Sequence, residues 1–113
     1  MSRSNCLLLR LGMAGLLLVH VLAAQDPRGR ILGRVLDSSG AVIPGVSVTA
    51  VNLETNVSTV ATTNEAGNYQ ILYLNPGRYR LDVEHPGFKR FERAAVEVRV
   101  GDAITLEIVL EPG

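Results

Sequence analysis

From Arg78 to Glu84 apolar and polar residues alternate without a break. Tyr79, Leu81 and Val83 fall on one side, and Arg78, Arg80, Asp82 and Glu84 on the other. A two-residue period marks a strand with one face in a core and the other in water. The run before it, Asn68 to Tyr73, repeats the spacing through Tyr69 and Ile71. Turn residues bracket both runs, at Asn64 to Gly67, Asn75-Pro76-Gly77 and Pro86-Gly87. The stretch Gly67 to Phe88 therefore predicts an antiparallel hairpin with one buried face. In its middle turn proline presets φ near roughly −65°, and Gly77 is expected to take a positive φ.

The same reading extends along the chain. Arg30 to Asp37 predicts a first strand with Ile31, Gly33 and Val35 on one face, and Ser38-Ser39-Gly40 turns the chain toward a second strand, Val46 to Asn52. Glu54-Thr55-Asn56 makes a hairpin into Val57 to Thr62, whose Thr, Val and Ser content without large apolar residues suits an edge strand. Ala94 to Val100 predicts a strand with Val96, Val98 and Val100 inward. Gly101-Asp102 then forms a hairpin into Ala103 to Glu111, with Ile104, Leu106, Ile108 and Leu110 inward. Phe88 and Phe91 are expected to cap one end of the core. No 3.6-residue apolar stripe interrupts these runs after residue 25. About seven strands at intervals of about 8 to 12 residues predict an all-β, Greek-key sandwich.

The N-terminus has a different character. Arg3 and Arg10 supply positive charge, Leu11 to Leu22 an apolar run broken only by His20, and Ala23-Ala24 small residues for cleavage near Gln25. That order is the pattern of a secretory signal peptide, and the run is shorter than the roughly 20 residues a membrane-spanning helix needs. The organisation expected is a signal peptide over 1–24, a polar lead-in over 25–29 and one domain over 30–113, with no transmembrane span after cleavage. Cys6, the only cysteine, lies inside the leader. A mature chain without a thiol has no disulfide staple, thiol catalysis or cysteine metal site, and must be held by its core alone.

Charge narrows the partners. The chain has 11 basic and 11 acidic residues; removing Arg3 and Arg10 leaves 9 against 11, a net charge of −2. No basic patch emerges, so nucleic acid is not an expected partner, and Lys89-Arg90-Arg93 reads as a solvated turn.

Nor does a catalytic constellation emerge. His85 is the one histidine beyond the leader; beside Pro86-Gly87 it reads as a surface residue, and a single histidine makes neither a usual metal set nor an acid–base pair. Asp37, Glu65, Asp82 and Asp102 fall at turns or on outward faces, without the spacing of a calcium loop. No catalytic, cofactor-binding or metal residue is expected, and no cofactor. Asn56-Val57-Ser58 matches a glycosylation acceptor, a short pattern that arises often by chance. Carbohydrate sites on sandwiches use flat aromatic faces, and the chain has no Trp. Tyr69 and Tyr79 lie in the core-facing register. Tyr73 is left as the one aromatic platform for a ligand, although core or edge packing is the commoner fate of such a residue.

The order Gly33-x-Val35-x-Asp37-x-x-Gly40-x-x-Ile43-Pro44-Gly45-Val46-x-Val48, then Thr63-Asn64-Glu65-x-Gly67-x-Tyr69-x-Ile71-x-x-Leu74-x-Pro76-Gly77-x-Tyr79-x-Leu81-x-Val83, then Gly87-Phe88, resembles the carboxypeptidase regulatory-like domain. The resemblance covers essentially all of the chain after the leader and implies a transthyretin-like, seven-stranded sandwich without an active site. A leader followed directly by such a domain is similar to the N-terminus of Oar-like, TonB-dependent outer-membrane transporters. That context implies a location in the periplasm, at the outer membrane or outside the cell, with protein or transporter components as partners. The related collagen-adhesin B-type repeats carry a Lys–Asn isopeptide bond. Here Arg34 stands in the first strand, the last strand has no asparagine, and Lys89 is the only lysine, so no such crosslink is expected. The function expected is a non-catalytic exported accessory or interaction module, and the alternative is a carbohydrate-binding module of the starch-binding-like fold.

Overall fold

The computed structural model describes residues 26–113; the expected signal peptide lies outside the described residues. Eight strands follow in chain order: β1 (Gly29–Asp37), β2 (Ser47–Asn52), β3 (Ser58–Thr62), β4 (Asn68–Leu74), β5 (Gly77–Glu84), β6 (Phe91–Val98), β7 (Ala103–Thr105) and β8 (Ile108–Leu110). No helix occurs among the described residues. One sheet has the order β4-β1-β7, with β8 also on β1; the other has the order β3-β2-β5-β6. The inner faces meet in a core to which Ile31, Val35, Tyr69, Leu81, Val98 and Ile108 contribute fully buried or nearly buried side chains. Burial of each stabilises the fold by roughly 1.5 to 3 kcal/mol.

The run Gly67 to Phe88 is antiparallel as expected, but it is not a hairpin. β4 pairs with β1, and β5 pairs with β2 and β6. The segment Asn75-Pro76 thus carries the chain from one sheet to the other, and Gly77 is absent from the glycines with positive φ. The Tyr79 hydroxyl holds the crossing by donating a 2.6 Å hydrogen bond to the Asn75 carbonyl. Likewise Gly101-Asp102 is a crossover, because β6 lies in one sheet while β7 runs parallel to β1 in the other. Local alternation specifies which face is apolar, but not which neighbour a strand takes.

The final strand is broken. β7 pairs with Arg30 to Leu32 and β8 with Val35 to Asp37, both parallel to β1. Counting them as one interrupted strand recovers the seven expected. At the break the Leu106 amide donates to the Leu32 carbonyl at 2.8 Å, and the Leu106 carbonyl accepts from the Tyr69 hydroxyl at 2.6 Å. Gly33 leaves the room for this. A Cβ there would lie 1.9 Å from the Leu106 carbonyl oxygen and 3.2 Å from the Tyr69 hydroxyl. Ile108 and Leu110 are buried, and Ile104 and Leu106 pack partly buried against the core. Val100 is instead 69% exposed, since β6 ends at Val98 and the chain has already begun to turn.

Two bulges disturb the ladders. Across β1 and β4 the register passes from Gly29↔Leu74 to Ile31↔Ile71, so Arg30 faces both Leu72 and Tyr73. Across β5 and β6 it passes from Tyr79↔Val96 to Leu81↔Arg93, so Arg80 faces Ala94 and Ala95. Tyr73 and Ala95 take φ values of 58° and 62°, the left-handed conformation that absorbs an extra residue. In a buried corner outside the ladders, Thr63 Oγ1 accepts from the Val46 amide at 2.9 Å and donates to the Ile43 carbonyl at 2.8 Å.

Candidate functional site

Tyr73 is the exposed aromatic of the domain, at 68%. Strict alternation after Tyr69 and Ile71 would bury it. The bulge adds one outward residue, so Leu72 and Tyr73 both face solvent while Leu74 returns to the core. A bulky residue at positive φ is strained, and such strain persists only where the surrounding structure imposes it. Here the core demands Leu74 and the β1 ladder demands Ile71, and Tyr73 takes up the mismatch. The one trace of this in the sequence is the unbroken apolar run Ile71-Leu72-Tyr73-Leu74.

Arg28 was not singled out by its sequence context, yet its guanidinium carbon sits 4.8 Å from the centre of the Tyr73 ring. Asp26 orients it through Oδ1 and Oδ2, which accept from Nε and Nη2 at 3.1 and 2.9 Å. These bonds hold the Asp26 carboxyl below the usual carboxylate range, because each favours its ionised form. Tyr73 stands between two clefts. One of about 440 Å³ is lined by Arg28, Arg30, Gln70, Leu72 and Asp102 among others. The second, about 270 Å³, is lined by Glu54, Thr55, Val57, Thr59 and Asn75 among others. An aromatic ring flanked by amide, hydroxyl and carboxylate groups can stack on a ligand and fix its orientation by hydrogen bonds.

The other residues singled out are scattered. His85 is half-buried rather than a plain surface residue: its ring lies 5.9 Å from that of Phe88, and its Nδ1 is buried without a hydrogen-bond partner among the described residues. The loop after β5 folds back on the end of the chain, with Phe88 bridged to Pro112, and this draws His85 inward. Asp37 closes its own turn, accepting from the Ser39 hydroxyl and the Ser39 and Ala41 amides, and its carboxyl is lowered for that reason. Asp102 Oδ2 accepts from the Arg99 amide. Asp82 faces outward but is covered by Arg80 and Arg90, at 3.2 and 3.4 Å. Arg34 is exposed and pairs with Glu107, and Lys89 lies 4.0 Å from Glu111. Among the described residues no three His, Cys, Asp or Glu side chains gather in a metal-binding group.

The two-sheet arrangement defines a transthyretin-like β-sandwich. Within that class, the family model for the carboxypeptidase regulatory-like domain matches residues 30–111, and the chain belongs to this family. The chain is also 34% identical over 100 residues to the TonB-dependent transporter Oar of Myxococcus xanthus, covering 88% of the chain but 9% of the transporter. Among solved structures it is similar to a putative carbohydrate binding protein from Bacteroides uniformis, with TM-score 0.63 and 19% identity over 77% of this chain and 43% of that one. It also resembles catechol 1,2-dioxygenase of Acinetobacter radioresistens, with TM-score 0.61 and 13% identity over 80% of this chain and 54% of that one. At these identities the two structures share the fold alone.

Proposed function

We propose that the chain is a non-catalytic, exported accessory module that works beside a TonB-dependent outer-membrane transporter. On this reading residues 1–24 are a cleaved leader, 25–29 a lead-in and 30–113 the working domain. The observation that carries it is the 34% identity to the Oar transporter over 88% of the chain. Membership of the carboxypeptidase regulatory-like family supports it, as does the leader pattern from Arg3 to Ala24. The test is fractionation of cells that express the chain, with N-terminal sequencing and crosslinking. The expected result is a mature protein starting near Gln25, in the periplasm or outer membrane, crosslinked to a TonB-dependent transporter. A full-length cytoplasmic protein overturns the reading.

A second reading is favoured by one feature, the outward turn of Tyr73. In it the module binds carbohydrate, with the ring stacking on a sugar and the polar groups of Thr55, Asn75 and Gln70 supplying hydrogen bonds. Calorimetry with oligosaccharides tests it. Binding in the millimolar range or tighter that Tyr73→Ala abolishes supports the reading, and binding indifferent to that change refutes it.

A further inference from the structure

The sandwich exposes four strand edges, and three of them are unfit for pairing. β4 carries the bulge at Leu72 and Tyr73. β6 carries the bulge at Ala94 and Ala95, and its exposed Arg93 stands opposite the inward Leu81. The β7/β8 edge is two three-residue pieces with a break between them. Bulges, inward-facing charge and short strands are the devices by which edges avoid pairing. β3 has none of them. Its five residues keep an unshifted register with β2, from Ser47↔Thr62 to Val51↔Ser58. The Asn52 amide donates to the Val57 carbonyl at 2.9 Å, which places Val57, Thr59 and Ala61 as the residues bonded to β2. By antiparallel alternation the N–H and C=O groups of Ser58, Val60 and Thr62 then face away from the sheet. Val57 and Val60 are each 62% exposed.

We propose that β3 pairs with β3 of a second copy of this chain, antiparallel about a twofold axis at Val60, so that two four-stranded sheets become one of eight strands. What selects a second copy is the self-complementarity of the segment. About that axis Val60 meets Val60, Ser58 meets Thr62 and Thr59 meets Ala61. No charge occurs between Thr55 and Asn64, so the twofold brings no like charges together within the strand. The pairing gives β-branched and Ser/Thr partners, which suit facing strand positions, and an isologous contact of the kind usual in homodimers. Five residues a side bury less than the roughly 1,000 Å² of a stable interface, so association is weak, with Kd in the micromolar to millimolar range.

Sedimentation of the purified chain from about 10 μM to 1 mM tests the proposal across that range. The expected result is a mass rising toward twice the monomer. Val60→Lys and Val60→Glu, made at an exposed position, keep the wild-type melting temperature but stay monomeric alone, and a mixture of the two forms a 1:1 heterodimer. A wild type that remains monomeric at 1 mM overturns the proposal. So does association unaffected by Val60→Lys, as the apolar N-terminal segment would produce, and so does a mixture of the two variants that stays monomeric.

Discussion

Replacing Gly33 with alanine adds one methyl group at the place where β1, the broken last strand and Tyr69 meet. The added Cβ would lie 1.9 Å from the Leu106 carbonyl oxygen, against the 3.0 Å below which real Cβ atoms are essentially never found, so the backbone must part by about 1.1 Å. No flexible side chain can absorb this, because the obstacle is main chain. Overpacking of this kind costs about 1 to 3 kcal/mol. Moving the Leu106 carbonyl also breaks its bond from the Tyr69 hydroxyl, worth a further ~1 to 2 kcal/mol when the groups are buried. The sum, about 2 to 5 kcal/mol, is a large part of the total stability of a domain this size. At about 4 to 8 °C per kcal/mol, thermal unfolding followed by circular dichroism should fall by at least ~8 °C. Gly40→Ala is the comparison: a Cβ there has open space, but φ is 87°, so it costs only the ~1 to 2 kcal/mol of a left-handed residue. Absorbance at 295 nm adds a local readout, since Gly33→Ala should change the alkaline titration of Tyr69. A Gly33→Ala variant that melts within about 2 °C of wild type, or whose Tyr69 titrates unchanged, refutes the steric argument.

Three further outcomes follow from the buried polar groups and the bulge. Burial pushes the Tyr69 hydroxyl up to about 12. The folded state therefore favours the protonated phenol, and the contribution is complete below pH ~10 and lost as pH rises from ~10 to ~12. Tyr69→Phe should cost about 1 to 2 kcal/mol at pH 7 in urea unfolding and flatten that alkaline decline. Thr63→Val keeps the shape but strips partners from the Val46 amide and the Ile43 carbonyl; chemical denaturation should show a loss of about 2 to 4 kcal/mol. Tyr73→Gly relieves the positive φ, so the same measurement should show a net change within about 1 kcal/mol, despite the lost Arg28 stack.

Much of the candidate site was hidden for a physical reason. Tyr73 is marked in the sequence as an aromatic near a strand end, but its phase relative to Tyr69 and Ile71 places it inward. It is turned outward by a one-residue mismatch between β4 and β1, and that mismatch exists only once Gly29 and Ile31 have taken their partners. The Arg28 stack depends on the same event, because 45 residues separate the two in the chain. His85, read as surface, lies half-buried beside Phe88, which is itself bridged to Pro112, a pairing that no local pattern announces.

What the sequence by itself determined is the local chemistry: that Tyr69, Ile71, Tyr79, Leu81 and Val83 face the core, that turns bearing glycine or proline flank the runs of β4 and β5, and that β3 is an edge strand without large apolar residues. These follow from periods and turn preferences that act over a few residues. Only the tertiary structure decided that Asn75-Pro76 and Gly101-Asp102 cross between sheets, that the last strand breaks over Gly33, and that one bulge turns Tyr73 outward and spoils the β4 edge while a second spoils the β6 edge. Each of these is a choice of partner between segments distant in the chain, and the free energy that makes the choice is the closing of one shared core.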